Sequence, residues 1–475
     1  MFTQMIGLGQ GKTYIASETS AFSKYTKNFI AMKDGEIGVV TANGTTLDIL
    51  SRVETAPEHD ILLSPAPFPH FTIKELLEQP EAIARAMSYG ARLNNDKVVL
   101  GGLDKNQAIL SHVHNLMLTG CGTSKNASEL GAKIMRDLDC FDSVSVLDAA
   151  EVRRSDIPKR GGGLLVVSQS GETKDVHRAL KLGIELGYPC ISVVNVVGSL
   201  IARTTGVGVY LNAGREHAVA STKSFTSQVT VLALIALWFR QNKEKTEDLP
   251  ESPLTKSMLE ALQRLPISFG MGLRSREKCK KVASELVGKE HLFVLGKGYG
   301  EPIAYEGALK IKELCYLHAE GYSGGALKHG PFALIEGNEG KEGSTPVITI
   351  ILDDDHASHM RTTAEEVKAR GAKVYVITDN PKLALGIDPD PIIIPNNGPL
   401  TALIAVLPLQ VRYSLIRYIP IYYISYHILT YQYTNIHILY TPPILHCIID
   451  NRLRAGLIKG HQPRRAPKPR QGRYY

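Results

Sequence analysis

Four consecutive apolar residues, Leu164-Leu165-Val166-Val167, run directly into Ser168-Gln169-Ser170-Gly171-Glu172-Thr173. An unbroken apolar run of this kind suits a parallel strand covered on both faces. Ser168, Ser170 and Thr173 place hydroxyls where the strand ends, and Gly171 permits a tight turn. Thr173 can cap a helix over residues 174–186, whose first free N–H groups favour an anion. A strand end, small hydroxyl residues and a helix N-terminus together describe a phosphate cradle. It lacks the lysine of a Walker motif, so a monophosphate on a small molecule fits better than a nucleoside triphosphate. An ordinary capped strand–helix turn explains these ten residues equally well on their own.

The surrounding pattern alternates strand and helix from about residue 100. Strands are predicted at 115–118, 144–147, 164–167, 190–194 and 207–211, with helices at 124–137, 173–186 and 223–239. A charged, amphipathic helical stretch at 246–285 precedes a second unit with strands at 347–352, 374–377 and 392–394. Leu292-Phe293-Val294-Leu295-Gly296-Lys297-Gly298 repeats Leu116-Met117-Leu118-Thr119-Gly120-Cys121-Gly122, each an apolar strand ending in a G-x-G turn. This is an internal duplication, and repeated βα units imply parallel sheets with helices on both faces. The expected fold is α/β, two tandem doubly wound three-layer domains at 96–245 and 286–410, joined by a helical connector at 246–285. Residues 1–58 suggest short strands, with a hairpin at Phe29–Met32, a turn at Asp34-Gly35 and a return at Ile37–Val40. Gly7–Thr13 imitates a P-loop, but the motif's first glycine would fall on Ile6. Residues 59–95 are expected to be a linker spaced by Pro65, Pro67 and Pro69, within which Lys74–Pro80 begins a helix.

The 475 residues carry 44% hydrophobic and 21% charged side chains, ordinary for a globular protein. Six scattered cysteines without CxxC argue for a reducing compartment, the cytoplasm, and against a disulfide framework or a zinc site. No secretory leader and no apolar run of transmembrane length are visible. Of the net charge of +7, the stretch from Val411 onward contributes +9, ten Lys/Arg against Asp450, which leaves −2 for the rest. Nucleic-acid binding by the folded part is therefore not supported. Asp353-Asp354-Asp355-His356 suits a solvated acidic loop better than a metal site.

Five ordered motifs carry a resemblance. They are Gly120–Ser124, Ser168–Thr173, Val219–Lys223, Glu306–Glu313 and Leu327–Pro331. Together they resemble the paired sugar-isomerase (SIS) domains of the glutamine–fructose-6-phosphate aminotransferase family, over roughly residues 5–410. The resemblance implies a sugar-phosphate site that includes Cys121, Gly122, Thr123, Ser124, Ser168, Gln169, Ser170 and Thr173, with Val219 and Ser221 against the sugar. It implies Lys310 and Glu313 for isomerisation, and His329 for ring opening, supplied by the partner subunit of a homodimer. No metal and no organic cofactor are implied. The chemistry is coherent by itself. One carboxylate able to reach C1 and C2 of a ketose imine can move the hydrogen between them. Lys310, one helical turn before Glu313, can steady charge on oxygen or take a hydroxyl proton. Taken singly, Lys310 and Glu313 are an ordinary surface pair and His329 a loop histidine. Readings kept beside this one are an SIS-type glucosamine-6-phosphate deaminase and a non-catalytic phosphosugar-binding protein.

Three departures from the family pattern stand out. Residues 1–58 resemble only the last part of a glutaminase domain, so glutamine hydrolysis is not expected of this chain. Ala326 stands where the family usually has a glutamate. From residue 411 the pattern stops, and 411–449 hold eight of the twenty tyrosines. That composition resembles translated noncoding DNA. A retained intron followed by a frameshifted last exon is the expectation for 411–475.

Overall fold

The computed structural model describes residues 5–16, 22, 25–32, 36–41, 44–45, 51–55, 64–94, 97–250, 252–335, 345–414 and 437–438. The chain divides into two compact units, Leu62–Tyr423 and a smaller one formed by Met1–Ile61 with Ile424–Tyr475.

In the smaller unit Met5–Gly9 pairs antiparallel with Lys12–Ala16 and with Asn28–Ala31. Gln10-Gly11 closes the first hairpin, with Gly11 at φ +64°. The P-loop imitation is thus a two-residue β-turn. Among the described residues the two arms of the expected hairpin, 29–32 and 37–40, do not pair with each other. Asn28–Ala31 uses Met5–Gly9 and Glu54–Thr55 as its partners, and Val40–Thr41 pairs with Gly44–Thr45. Phe29 and Ile30 are buried in this pairing, and the expected turn residues Asp34-Gly35 lie outside the described ones.

The larger unit opens with two helices, α1 (Phe71–Leu77) and α2 (Gln79–Ala86). Leu76, Ile83 and Ala86 belong to the main hydrophobic core. Much of the segment expected as a linker is therefore core structure.

The first sheet contains β1 (Asn115–Gly120), β2 (Ser143–Asp148), β3 (Gly162–Ser168), β4 (Cys190–Val194) and β5 (Gly208–Tyr210). All pairings are parallel, in the order β2-β1-β3-β4-β5. Every residue of β3 is buried, as its apolar run implied. Alternate side chains enter different cores. Leu164 and Val166 pack with Val176, Ala179 and Leu180 of α4 (Lys174–Glu185). Leu165 and Val167 join the core that holds α3 (Thr123–Asp137) and α5 (Lys223–Glu247). Helix α5 is buried without interruption from Lys223 to Arg240, the mark of a helix enclosed on all sides. It runs past the expected end at 239, because its polar last two turns stay helical. No described helix is long and apolar enough to cross a membrane.

The second sheet repeats the first. Its strands are β6 (His291–Gly296), β7 (His318–Ser323), β8 (Pro346–Ile350), β9 (Lys373–Thr378) and β10 (Ile392–Ile393), in the order β7-β6-β8-β9-β10. All its pairings are parallel. Helix α6 (Gly300–Cys315) follows β6 as α3 follows β1. The chain therefore contains two parallel-sheet α/β domains. One continuous core runs through both of them and through the connecting helix Pro253–Gly272. The last helix, α7 (Val406–Ser414), passes the expected boundary at 410. There buried Gln79 donates to buried Gln410 at 2.8 Å. The anomalous stretch at 415–475 lies outside the described residues, apart from His437–Ile438.

Candidate active site

The C-terminal edge of a parallel sheet, where strands hand over to helix N-termini, is the binding edge of this fold class. On the first sheet this edge collects Gly120–Ser124 after β1, Ser168–Thr173 after β3 and the loop after β5. Gly122 turns the chain into α3 at φ +54°. Cys121 packs half-buried, its Sγ 3.9 Å from Asp148. Burial pushes its thiol up, and Asp148 and Asp175 add to this. The group is therefore held as the thiol. Thr123 opens α3, and buried Ser124 accepts a hydrogen bond from Gln228 of α5 at 2.9 Å.

The cradle differs from expectation in one detail. Thr173 holds the cap position of α4, at φ −64°, ψ 118°, but its side chain makes no cap bond. Its hydroxyl lies 3.1 Å from that of Ser168 instead. Ser168 also accepts the Gly171 N–H at 3.1 Å, and Ser170 accepts the Glu172 N–H at 3.2 Å. The hydroxyls thus face one another across the turn, and the first amides of α4 keep their unshared donor capacity. Gln169 is half-buried beside them, and its carbonyl accepts the Asn195 N–H. Gly171 sits at φ +67°, and a Cβ there would lie 2.0 Å from the Ser199 hydroxyl oxygen. Gly171→Ala is accordingly expected to cost at least the left-handed backbone penalty, about 1–2 kcal/mol, in chemical denaturation. Gly171→Ala with Ser199→Gly should regain only the part due to the clash.

Among the described residues the duplicated domain shows no such cradle at the corresponding strand end. At the end of β8, the counterpart of β3, stands Asp353-Asp354-Asp355-His356. Asp353 N–H donates to Asp379 at 2.9 Å and Asn380 donates to the Asp353 carboxylate at 2.9 Å. These carboxylates would repel a phosphate, so the hydroxyl-lined edge of the first domain is the phosphate-compatible one.

The second domain contributes a different group. Glu306, Lys310 and Glu313 share one face of α6. The Lys310 ammonium is fully buried, 2.6 Å from Glu313 and 3.4 Å from Glu306. It donates to the Thr123 hydroxyl of the first domain at 3.0 Å. Thr123 donates onward to Glu306 at 3.1 Å, and Asn126 donates to the other Glu306 oxygen at 2.9 Å. Burial favours the neutral amine of Lys310, but the Glu306 and Glu313 carboxylates outweigh it and hold the lysine above its ordinary value. Burial pushes Glu306 up against the opposing pull of Lys310, Asn126 and Thr123. A proton on this network belongs to the pair rather than to either residue. Glu313, one-third exposed, is the member of the network that meets solvent.

Glu306 was missed as a site residue. Its sequence signals are its place at the head of the Glu306–Glu313 motif and the spacing Glu306, Lys310, Glu313 on one helical face. Its burial depends on α3, some 180 residues away in the chain.

The other expected residues lie apart from this network. Val219, on the loop between β5 and α5, is 94% exposed. Ser221 on the same loop donates to Glu216 at 2.8 Å. His329 is exposed at the end of the short 3-10 helix Gly324–Lys328. Among the described residues its side chain pairs with neither Lys310 nor Glu313. Ala326 lies exposed within that short helix, and its carbonyl accepts the His329 N–H at 3.1 Å.

Two doubly wound domains, a hydroxyl cradle on one and a buried lysine–carboxylate network from the other, define a tandem SIS-domain protein. Residues 109–238 and 285–413 each match the SIS domain. Glutamine–fructose-6-phosphate aminotransferase (isomerizing) of Chlorobaculum tepidum is 35% identical over 440 residues, covering 91% of this chain and 68% of that protein. The enzyme of the same name from Pyrococcus horikoshii is 35% identical over 390 residues, covering 80% and 61%. The chain belongs to the glutamine–fructose-6-phosphate aminotransferase family. It spans about two thirds of the length of these relatives. Among solved structures, the C-terminal domain of glucosamine-fructose-6-phosphate aminotransferase from Francisella tularensis superposes with a TM-score of 0.68 at 27% identity. That match covers 74% of this chain and 96% of that one. Glucosamine-6-phosphate deaminase from Thermotoga maritima shares the fold at TM-score 0.52 and 20% identity, covering 73% and 95%.

Proposed function

We propose that this chain carries the sugar-isomerising part of a glutamine–fructose-6-phosphate aminotransferase, which forms glucosamine 6-phosphate for UDP-N-acetylglucosamine synthesis in the cytoplasm. The observation that carries the reading is Lys310, wholly buried between two carboxylates and bonded across to Thr123 at the G-x-G turn. Pure binding does not need a buried ammonium, and its desolvation is a cost that chemistry justifies.

In this reading Ser124, Ser168, Gln169, Ser170 and Thr173 hold the phosphate, with the main chain of Cys121–Thr123 alongside. Val219 and Ser221 meet the sugar. Glu313 takes the C1 proton of the ketose imine and returns it at C2. The Lys310 ammonium steadies the charge on O1, and the proton that O1 loses is matched by the one gained at the imine nitrogen, which becomes the amine. His329 opens the sugar ring, and its separation from the network supports a histidine delivered by a second subunit, hence a homodimer. No metal enters any of these steps.

The test is incubation of the purified chain with fructose 6-phosphate and ammonium, and separately with glutamine. Glucosamine 6-phosphate from ammonium is the expected product. Tight phosphosugar binding without product under either condition would overturn the catalytic reading in favour of a sensor.

A further inference from the structure

The loop 211–222, which bears Val219 and Ser221, has no regular structure of its own. Carboxylates fix it from two directions. Glu216 within the loop accepts the Thr222 and Ser224 N–H groups on one oxygen, at 2.8 and 3.2 Å, and the Ser221 hydroxyl on the other. From outside, Glu75 of α1 accepts the N–H groups of His217 and Ala218, the latter at 3.1–3.2 Å to its two oxygens. Phe71, one turn earlier on α1, stacks on the His217 ring with centroids 4.9 Å apart. One turn beyond Glu75, Glu78 holds the buried ammonium of Lys223, the first residue of α5, at 2.8 Å. The loop tip is thus strapped on both sides while Val219 stands free.

Glu75 is only 2% exposed. A buried carboxylate is a costly way to fasten a loop, since Ile73 and Leu76 already anchor α1 in apolar surroundings. Its two acceptors do what an apolar side chain cannot, which is to fix the direction of the 217–218 main chain two residues before the tip. We propose that Glu75 is a positioning residue that sets the sugar-contacting loop through the His217 and Ala218 amides without touching the sugar. This rests on the functional reading above for what the loop contacts, but not for how the loop is held.

The charged groups around Glu75 are Glu216 from the loop, Lys223 from α5, and Lys74 and Glu78 from its own helix. Burial first, and Glu216 after the opposing His217 amide, push the Glu75 carboxyl up to about 7. A carboxyl raised in the strapped state and ordinary, 4.5, when released makes the strap strongest below pH 4.5 and progressively weaker as pH rises through about 7.

The experiment compares wild type, Glu75→Ala and Glu75→Gln by amide hydrogen exchange without ligand, corrected for intrinsic rates, from pH 5 to 8. Fructose 6-phosphate binding is titrated in parallel. Loss of the hydrogen bonds that Glu75 accepts from both amides predicts about 10- to 100-fold faster exchange at 217–218 in Glu75→Ala, with residues 164–168 unchanged. Affinity for fructose 6-phosphate should fall with it. Glu75→Gln, which keeps an acceptor, should retain protection and binding but lose the pH dependence. Unchanged exchange in a folded Glu75→Ala would overturn the proposal, and so would a pH dependence that persists in Glu75→Gln. If Glu75→Ala does not fold, the glutamine variant still decides. Wild type that fails to bind fructose 6-phosphate counts against the functional reading alone, because the exchange arm stands without ligand.

Discussion

Lys310→Ala is expected to lower the free energy of unfolding by about 3–5 kcal/mol at neutral pH, the range for deleting one member of a buried ion pair. The loss comes from what remains behind. Glu306 stays fully buried with only Thr123 and Asn126 as donors, and its counter-charge is gone. The contact between α3 and α6 weakens with it, since Lys310 bridges to Thr123 across the two domains. Without the lysine the Glu306 pKa rises further above its unfolded value. A raised carboxyl contributes stability below the unfolded pKa and loses it as pH rises through the folded one. The variant's deficit should therefore shrink on acidification. Lys310→Met with Glu306→Gln, which removes both charges, should recover much of the loss. Urea denaturation of the three proteins measures this. A deficit under about 1 kcal/mol, typical of exposed pairs, would mean that Lys310 is not held as described.

What could be anticipated from residues was whatever depends on near neighbours. The apolar run before Ser168 announced a doubly covered strand because its period needs no partner to be recognised. The repeated G-x-G turns announced the second domain for the same reason. Three features needed distant residues. Thr173 was expected to cap its own helix, and the competing hydroxyl of Ser168 won. Glu306 joins the Lys310 network as a buried carboxylate only because α3 covers it. Glu75 lies in a segment whose three prolines suggested a linker; the start of a helix at Lys74–Pro80 could be anticipated, but not what its carboxylate holds. Its partners, His217 and Ala218, are more than 140 residues away. Short-range chemistry thus disclosed the hydroxyl-lined turn after the strand, while the carboxylates that organise loop and lysine depended on tertiary packing.

Glu313→Gln should separate chemistry from architecture. The substitution keeps the side chain's size and an acceptor for Lys310, and Glu306 remains as the buried counter-ion at 3.4 Å. Glu313 is itself one-third exposed, so stability should change little. The hydroxyl cradle proposed to hold the phosphate lies on the other domain, so affinity for fructose 6-phosphate should also hold. What the amide cannot do is take a proton from carbon. Removing a positioned base predicts a fall in isomerisation of about 10²–10⁴-fold, in kcat rather than KM. Glu313→Asp, one methylene shorter, should fall between wild type and Glu313→Gln, because a single base must reach both C1 and C2. Exchange of the C1 hydrogen with solvent deuterium reports the same step without the need for turnover. If Glu313→Gln keeps both exchange and kcat within about tenfold of wild type, a smaller effect than a positioned base supplies, the proton is moved by another group. Glu306 would then be the next carboxylate to replace, since it alone shares the Lys310 network from the same helical face.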